Sequence, residues 1–110
     1  MWQVNNSNQL IMNEGDYNIN LPFIITNVTV ASGDHLIITI KRDITSDTLI
    51  TKNYTGITDN TFNFTLTSSE TALLPAGEYK YSLRWTGGTG ASAFATTIIA
   101  EAKLTVVAHI

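Results

Sequence analysis

Two histidines, His35 and His109, are the side chains of this 110-residue chain that could act as general bases near neutral pH. A hydrolytic triad needs a nucleophile, a base and an orienting acid within mutual reach. His35 follows Asp34 at the start of an alternating segment, and His109 stands next to the last residue, so both read as solvated surface histidines. No catalytic residue is assigned. Because the chain has no cysteine, thiol nucleophiles, thiolate metal sites and disulfides are excluded together. Asp43 and Asp47 share one polar stretch and Asp59 with Asn60 another, and oxygen-rich loops at one end of a β-fold can hold calcium. Their spacing matches no particular ligand loop, and turn aspartates and asparagines commonly bond their own backbone, so no metal or cofactor is expected. The run Gly87-Gly88-Thr89-Gly90 lies between two strand patterns and lacks the helix N-terminus that a phosphate cradle uses. Asn-x-Ser/Thr triplets at Asn5, Asn27, Asn53 and Asn63 mean little without an export signal. Trp2, Tyr54 and Phe94 would form a sugar platform only if they converged on one concave patch.

The elements that must position these residues are legible first around residues 67–85. Thr67 and Glu70 have the spacing of a capping box, in which each side chain satisfies a backbone N–H at the start of a helical turn. Pro75 and Gly77 end that turn, and Leu73 and Leu74 are placed to cover the open end of a sandwich. Beyond it Tyr79, Tyr81, Leu83 and Trp85 alternate with Glu78, Lys80, Ser82 and Arg84, the pattern of a two-faced strand. Tyr79 reads as the anchor that bonds back to upstream backbone at the corner of an immunoglobulin-like domain, or as an ordinary half-buried strand residue.

Along the rest of the chain, Leu10-Ile11-Met12 predicts a brief strand and Asn13–Asp16 a turn. Tyr17, Ile19, Leu21, Phe23 and Ile25 predict a longer strand, with Pro22 favouring an edge because it cannot donate to a ladder. Val28–Val30 extends this strand or begins a crossover. Leu36, Ile38 and Ile40 alternate with polar neighbours, and Ile37 on the second face suggests a central strand. Further strands are expected near Thr48–Asn53 and over Phe62, Phe64 and Leu66. Thr86–Ala93 reads as a long hairpin tip. The last strand spans about residues 97–107, with Ile98, Ala100, Ala102, Leu104 and Val106 on one face. About seven short strands with regular turn signals predict an all-β fold, an immunoglobulin-like β-sandwich with one short helical turn, in one domain over residues 1–110. Its core is expected to hold Leu36, Ile38, Ile40, Phe64, Leu83, Trp85 and Leu104.

Composition narrows the partners. Charged residues make up 14% of the chain, against roughly 25% in ordinary soluble domains, and Thr and Asn carry the polarity instead. Such sparse charge fits a surface partly covered in an assembly, or simply a Thr-rich all-β protein. The formal net charge is −3, and the few Lys and Arg are scattered in sequence, so nucleic acid is not an expected partner. No apolar run reaches the roughly 20 residues that cross a bilayer, and Met1–Asn5 lacks the basic start and apolar core of a signal peptide. Synthesis in a reducing cytoplasm, with no membrane partner, is expected.

Three segments together resemble a known family. Glu14-Gly15-Asp16 leading into Tyr17–Ile25, the strand ending Ile38-Thr39-Ile40-Lys41-Arg42, and the corner Thr67-Ser68-Ser69-Glu70 with Leu74-Pro75-Ala76-Gly77-Glu78-Tyr79 are similar to the amino-terminal immunoglobulin-like module of phage baseplate upper and related tail proteins. In that family the module generally begins a longer polypeptide, whereas this sequence ends at Ile110. The resemblance brings no catalytic residues. It implies a non-enzymatic virion structural protein, a capsid decoration or tail or baseplate adaptor, that contacts phage capsid or tail proteins and self-associates as a homo-oligomer, with a trimer one form. Trp2, Gly87, Gly88, Gly90 and Phe94 are the candidate protein-contact residues. Thr67, Glu70, Leu73, Leu74, Pro75, Gly77 and Tyr79 form the candidate structural corner. The alternative is a glycan-binding or adhesion β-sandwich module, and a small hydrolase lacks a credible base.

Overall fold

The computed structural model describes residues 3–4, 9–18, 20–26, 28–42, 47–88 and 90–108, the first two by backbone alone. Trp2, Asp43 and His109 lie outside the described residues. The element order is β1 (Gln3–Val4), β2 (Leu10–Asn13), β3 (Leu21–Ile24), β4 (His35–Lys41), β5 (Thr48–Tyr54), β6 (Thr61–Phe64), α1 (Ser68–Thr71), β7 (Gly77–Gly87) and β8 (Phe94–Val107). The domain is thus all-β with one short helical turn, and it has one strand more than the seven or so expected among the described residues. One sheet runs β1-β2-β8-β7-β4-β5, and β3 and β6 pair as a second. β2 lies parallel to β8, with Leu10 opposite Leu104. The other named pairs are antiparallel.

Alternation decides which side of the large sheet is wet. On β4 Leu36, Ile38 and Ile40 point inward, opposite Trp85, Leu83 and Tyr81 of β7, and the small sheet lays Leu21, Phe62 and Phe64 over them to close one apolar core. Leu36, Ile38, Ile40, Phe64, Leu83 and Leu104 are all at or below 1% exposure. Full burial of each such side chain contributes about 1.5–3 kcal/mol. Trp85 departs from the expected core. It is half-buried, because it sits near the hairpin end of β7 with Phe94 against its ring, 4.8 Å between centroids, and its indole N–H turned to Asp34.

The corner is built from backbone needs. Thr67 caps α1 by accepting from the Glu70 N–H, and the Glu70 carboxylate accepts from the Thr67 N–H in return. The same carboxylate meets Lys52 Nζ at 2.8 Å. The Tyr79 hydroxyl donates to the Pro75 carbonyl, closing the loop that leads into β7. Gly77 between them has φ +151°, a conformation that a β-carbon would strain. Leu74 is fully buried under the corner, but Leu73 is 51% exposed. Earlier backbone ties on: Thr71 Oγ1 donates to the Asp16 carbonyl, the Ala76 N–H to Glu14 and the Asn18 N–H to the Leu66 carbonyl.

Two strand readings are corrected. The strand expected over Tyr17–Ile25 is β3, Leu21–Ile24 alone. Asn18 has φ +56°, which breaks an extended run, and Tyr17 stands 53% exposed. Val28–Val30 is crossover rather than strand. The last strand starts earlier than expected, at Phe94, and does not keep one face. Between Ala102, opposite Tyr81, and Thr97, opposite Arg84, the register slips twice, each time placing an extra residue on β8. These bulges leave Ala100 exposed and make both Ile98 and Ile99 half-buried.

Candidate functional site

β3 offers an open edge beside a cleft. The Ile25 N–H bonds to the Asn60 carbonyl, so the odd residues Leu21, Phe23 and Ile25 face β6 with their backbone groups. The even residues Pro22 and Ile24 therefore aim theirs away from β6, where no described strand pairs with β3. Pro22 carries no N–H, so Ile24 supplies the one outward donor of β3, alongside the carbonyls of both residues. The Ile24 side chain is 71% exposed.

Behind this edge lies a cleft of about 390 Å³, walled by Leu10, Phe23, Ile25, Leu83, Ile98 and Ile99. Its width follows from the β8 bulges, which turn two consecutive isoleucines toward it. Tyr81 also contributes, and burial pushes its phenol pKa up to about 12, so the group stays neutral. The arrangement suits strand addition: an extended segment would bond to the β3 edge and send alternate side chains into the cleft.

Asn60 holds that edge in place, and nothing in the sequence reading singled it out for this. Thr58 and Thr61 bridge across Asp59 and Asn60, whose φ values of +54° and +56° make a two-residue hairpin turn of the primed type. The Asn60 amide then clamps the crossover. Its Oδ1 accepts from the Val30 N–H at 2.9 Å, and its Nδ2 donates to the carbonyls of Ile25 at 3.1 Å and Val28 at 2.6 Å. An Asn in a turn with an apolar crossover upstream was the available signal. These bonds occupy the Asn60 side chain weighed for calcium, and no metal-ligating cluster occurs among the described residues.

The sequence-derived contact residues fall elsewhere. Gly87 pairs with Phe94 at the far end of β7 and β8, and neither lines the cleft. A β-carbon on Gly87 would stand 2.7 Å from the Asp34 carboxyl carbon and 2.9 Å from the Phe94 ring, and one on Gly88 would overlap the Ser92 carbonyl. Both glycines are thus required by close approach. Gly90 meets nothing within 4 Å, and Phe94 is 40% exposed. Asp34, only 7% exposed, accepts from the Ala31 N–H and from Trp85 Nε1 through Oδ2, while His35 turns its Nδ1 to Asn53 Oδ1 at 3.1 Å. The adjacent acid and imidazole therefore do not act as a pair. Tyr54 is half-buried with its ring 4.8 Å from that of Phe62, so it is no exposed sugar platform. Burial raises its pKa, with the backbone bond to Thr65 opposing and the charge of Glu70 adding. No family model matches the chain, and no curated protein matches it either.

Proposed function

We propose that this chain is a non-enzymatic structural protein of a phage virion, a capsid decoration or tail or baseplate adaptor with an immunoglobulin-like fold. After synthesis in the host cytoplasm it docks by accepting an extended strand, from another copy or from a capsid or tail protein, along the outer edge of β3. The fold half of this reading is supported by strand order. With β3, β4, β5, β6, β7 and β8 taken as strands B, C, C′, E, F and G, the G-F-C-C′ order of one sheet and the B–E pairing of the other follow the immunoglobulin scheme. The Tyr79 bond to Pro75 at the E–F corner accords with it.

The single observation behind the docking role is the open β3 edge beside its cleft. Unpaired edges are usually blunted, because they recruit strands. Here Pro22 removes one donor and leaves Ile24 to set the register of any incoming strand. The test is Ile24→Pro, which deletes the outward N–H while leaving every bond to β6. Copies per purified phage particle are counted by quantitative mass spectrometry for wild type and variant. The expected result is a fixed number of copies for the wild type and strong depletion for a variant that still melts cooperatively. Absence of the wild type from particles, or normal occupancy by Ile24→Pro, would overturn the proposal.

A further inference from the structure

Basic residues that lie far apart in sequence come together on the outer face of the large sheet. Lys41 of β4 is directly opposite Lys80 of β7, and Lys80 is directly opposite Lys103 of β8. Three of the chain's six basic residues thus form one cross-strand row in a protein of formal net charge −3. The scatter read from the sequence does not survive folding. Adjacent strands are about 4.8 Å apart, and like charges directly opposite one another are destabilising. Lys103 has a counter-ion, Glu78, at 3.4 Å. Lys41 and Lys80 have no carboxylate within ion-pairing distance among the described residues.

Beside Lys41 and Lys80 the β8 bulge opens a depression of about 180 Å³, whose lining also includes Thr39, Tyr81, Ser82, Ala100 and Glu101. That is room for about six waters, the scale of one small ring. It gathers two lysines, two hydroxyl-bearing residues and one carboxylate, while the Tyr81 ring is turned to the opposite, core face of the sheet. We infer that this depression is a binding site for a hydroxylated oxyanion, its acid group between Lys41 and Lys80 and its hydroxyls facing Ser82 and Glu101. Neutralisation of the lysine row drives binding, and Glu101 selects hydroxyl donors over a second charge. The acid group is carried by an acidic sugar, as carboxylate or phosphate. This site is separate from the β3 edge and stands whether or not that edge docks a strand.

Glucuronate, glucose 6-phosphate and neutral glucose distinguish the alternatives when titrated at fixed ionic strength into wild type and Lys80→Gln. Amide resonances of Thr39, Lys80 and Ser82 and the melting temperature are followed. The expected result is saturable shifts and a Tm that rises with ligand concentration for one or both acids, and no response to glucose. The acid that acts more strongly identifies the group as carboxylate or phosphate. Lys80→Gln, losing a charged hydrogen bond, should bind roughly ten-fold more weakly or worse, and at low salt it should melt above wild type because the row is broken. An equal response to glucose, no response to either acid, or an undiminished response in Lys80→Gln would overturn the assignment.

Discussion

Asn60 is the side chain whose removal tests the architecture most sharply, because its three hydrogen bonds all reach the crossover that follows β3. In Asn60→Ala the N–H of Val30, a residue only 5% exposed, loses its acceptor. A part-buried donor left unsatisfied costs about 1–3 kcal/mol. The Ile25 carbonyl loses one donor, for about 0.5–1.5 kcal/mol, and the Val28 carbonyl loses less because water reaches it. Alanine at φ +56° adds about 1 kcal/mol that asparagine largely escapes. Taken at the low end of each range, the sum is about 3 kcal/mol. With a urea m-value of roughly 1.5 kcal/mol/M, the midpoint should fall by about 2 M. Asn60→Gly removes the same bonds without the backbone penalty and should lie about 1 kcal/mol above Asn60→Ala. Asn60→Asp keeps the acceptor for Val30 but sets a carboxylate oxygen against the Ile25 and Val28 carbonyls, so it should be no more stable than Asn60→Gly. Equilibrium urea unfolding of all four proteins is the assay. A loss below about 1 kcal/mol for Asn60→Ala, or no difference between the alanine and glycine variants, would refute the clamp.

Three further outcomes follow from the core, the hairpin and the corner. Phe64→Ala empties a fully buried position at the end of β6 and should cost about 3–5 kcal/mol by denaturant unfolding, so a loss under 1 kcal/mol would mean that the β6 register is inverted. Trp85→Phe keeps the packing against Phe94 but removes the 2.9 Å bond to Asp34 Oδ2, and should cost about 2 kcal/mol by the same measure. For Glu70, burial pushes the carboxyl pKa up, but the hydrogen bonds from Lys52 and the Thr67 N–H outweigh it and hold the value below the ordinary one. A depressed folded pKa stabilises the fold above the unfolded value of about 4.3, and that stabilisation is lost as pH falls through the folded value. Stability measured from pH 6 to 2.5 should therefore decline less steeply in Glu70→Gln than in wild type, and parallel curves would contradict the coupling.

How much of this was legible depended on whether a signal was local. The capping box of Thr67 and Glu70 and the alternation of Tyr79, Tyr81 and Leu83 lie within a few residues of one another, so side-chain spacing alone encodes them. What escaped was set by pairing across the fold. A bulge shows only in register, and the alternation drawn through Ile98, Ala100 and Ala102 hid two of them. Lys41, Lys80 and Lys103 look dispersed until three strands align them. Asn18, whose positive φ delays the start of the expected strand, is an ordinary asparagine in sequence. The open edge itself was half visible: Pro22 marked an edge strand, but only the pairing of β3 with β6 shows which side of it is free. Of the proposed contact residues, Gly87 and Gly88 turn out to be fixed by tight packing against Asp34 and Ser92, a demand that sequence cannot distinguish from hairpin chemistry.

The docking account is tested most directly by amide hydrogen exchange at Ile24, compared between the isolated chain and the chain within purified phage particles. The account predicts fast exchange when the chain is alone, since the outward N–H of β3 faces solvent, and strong protection in the particle, where an incoming strand would accept that hydrogen. Equal exchange in the two states would contradict it.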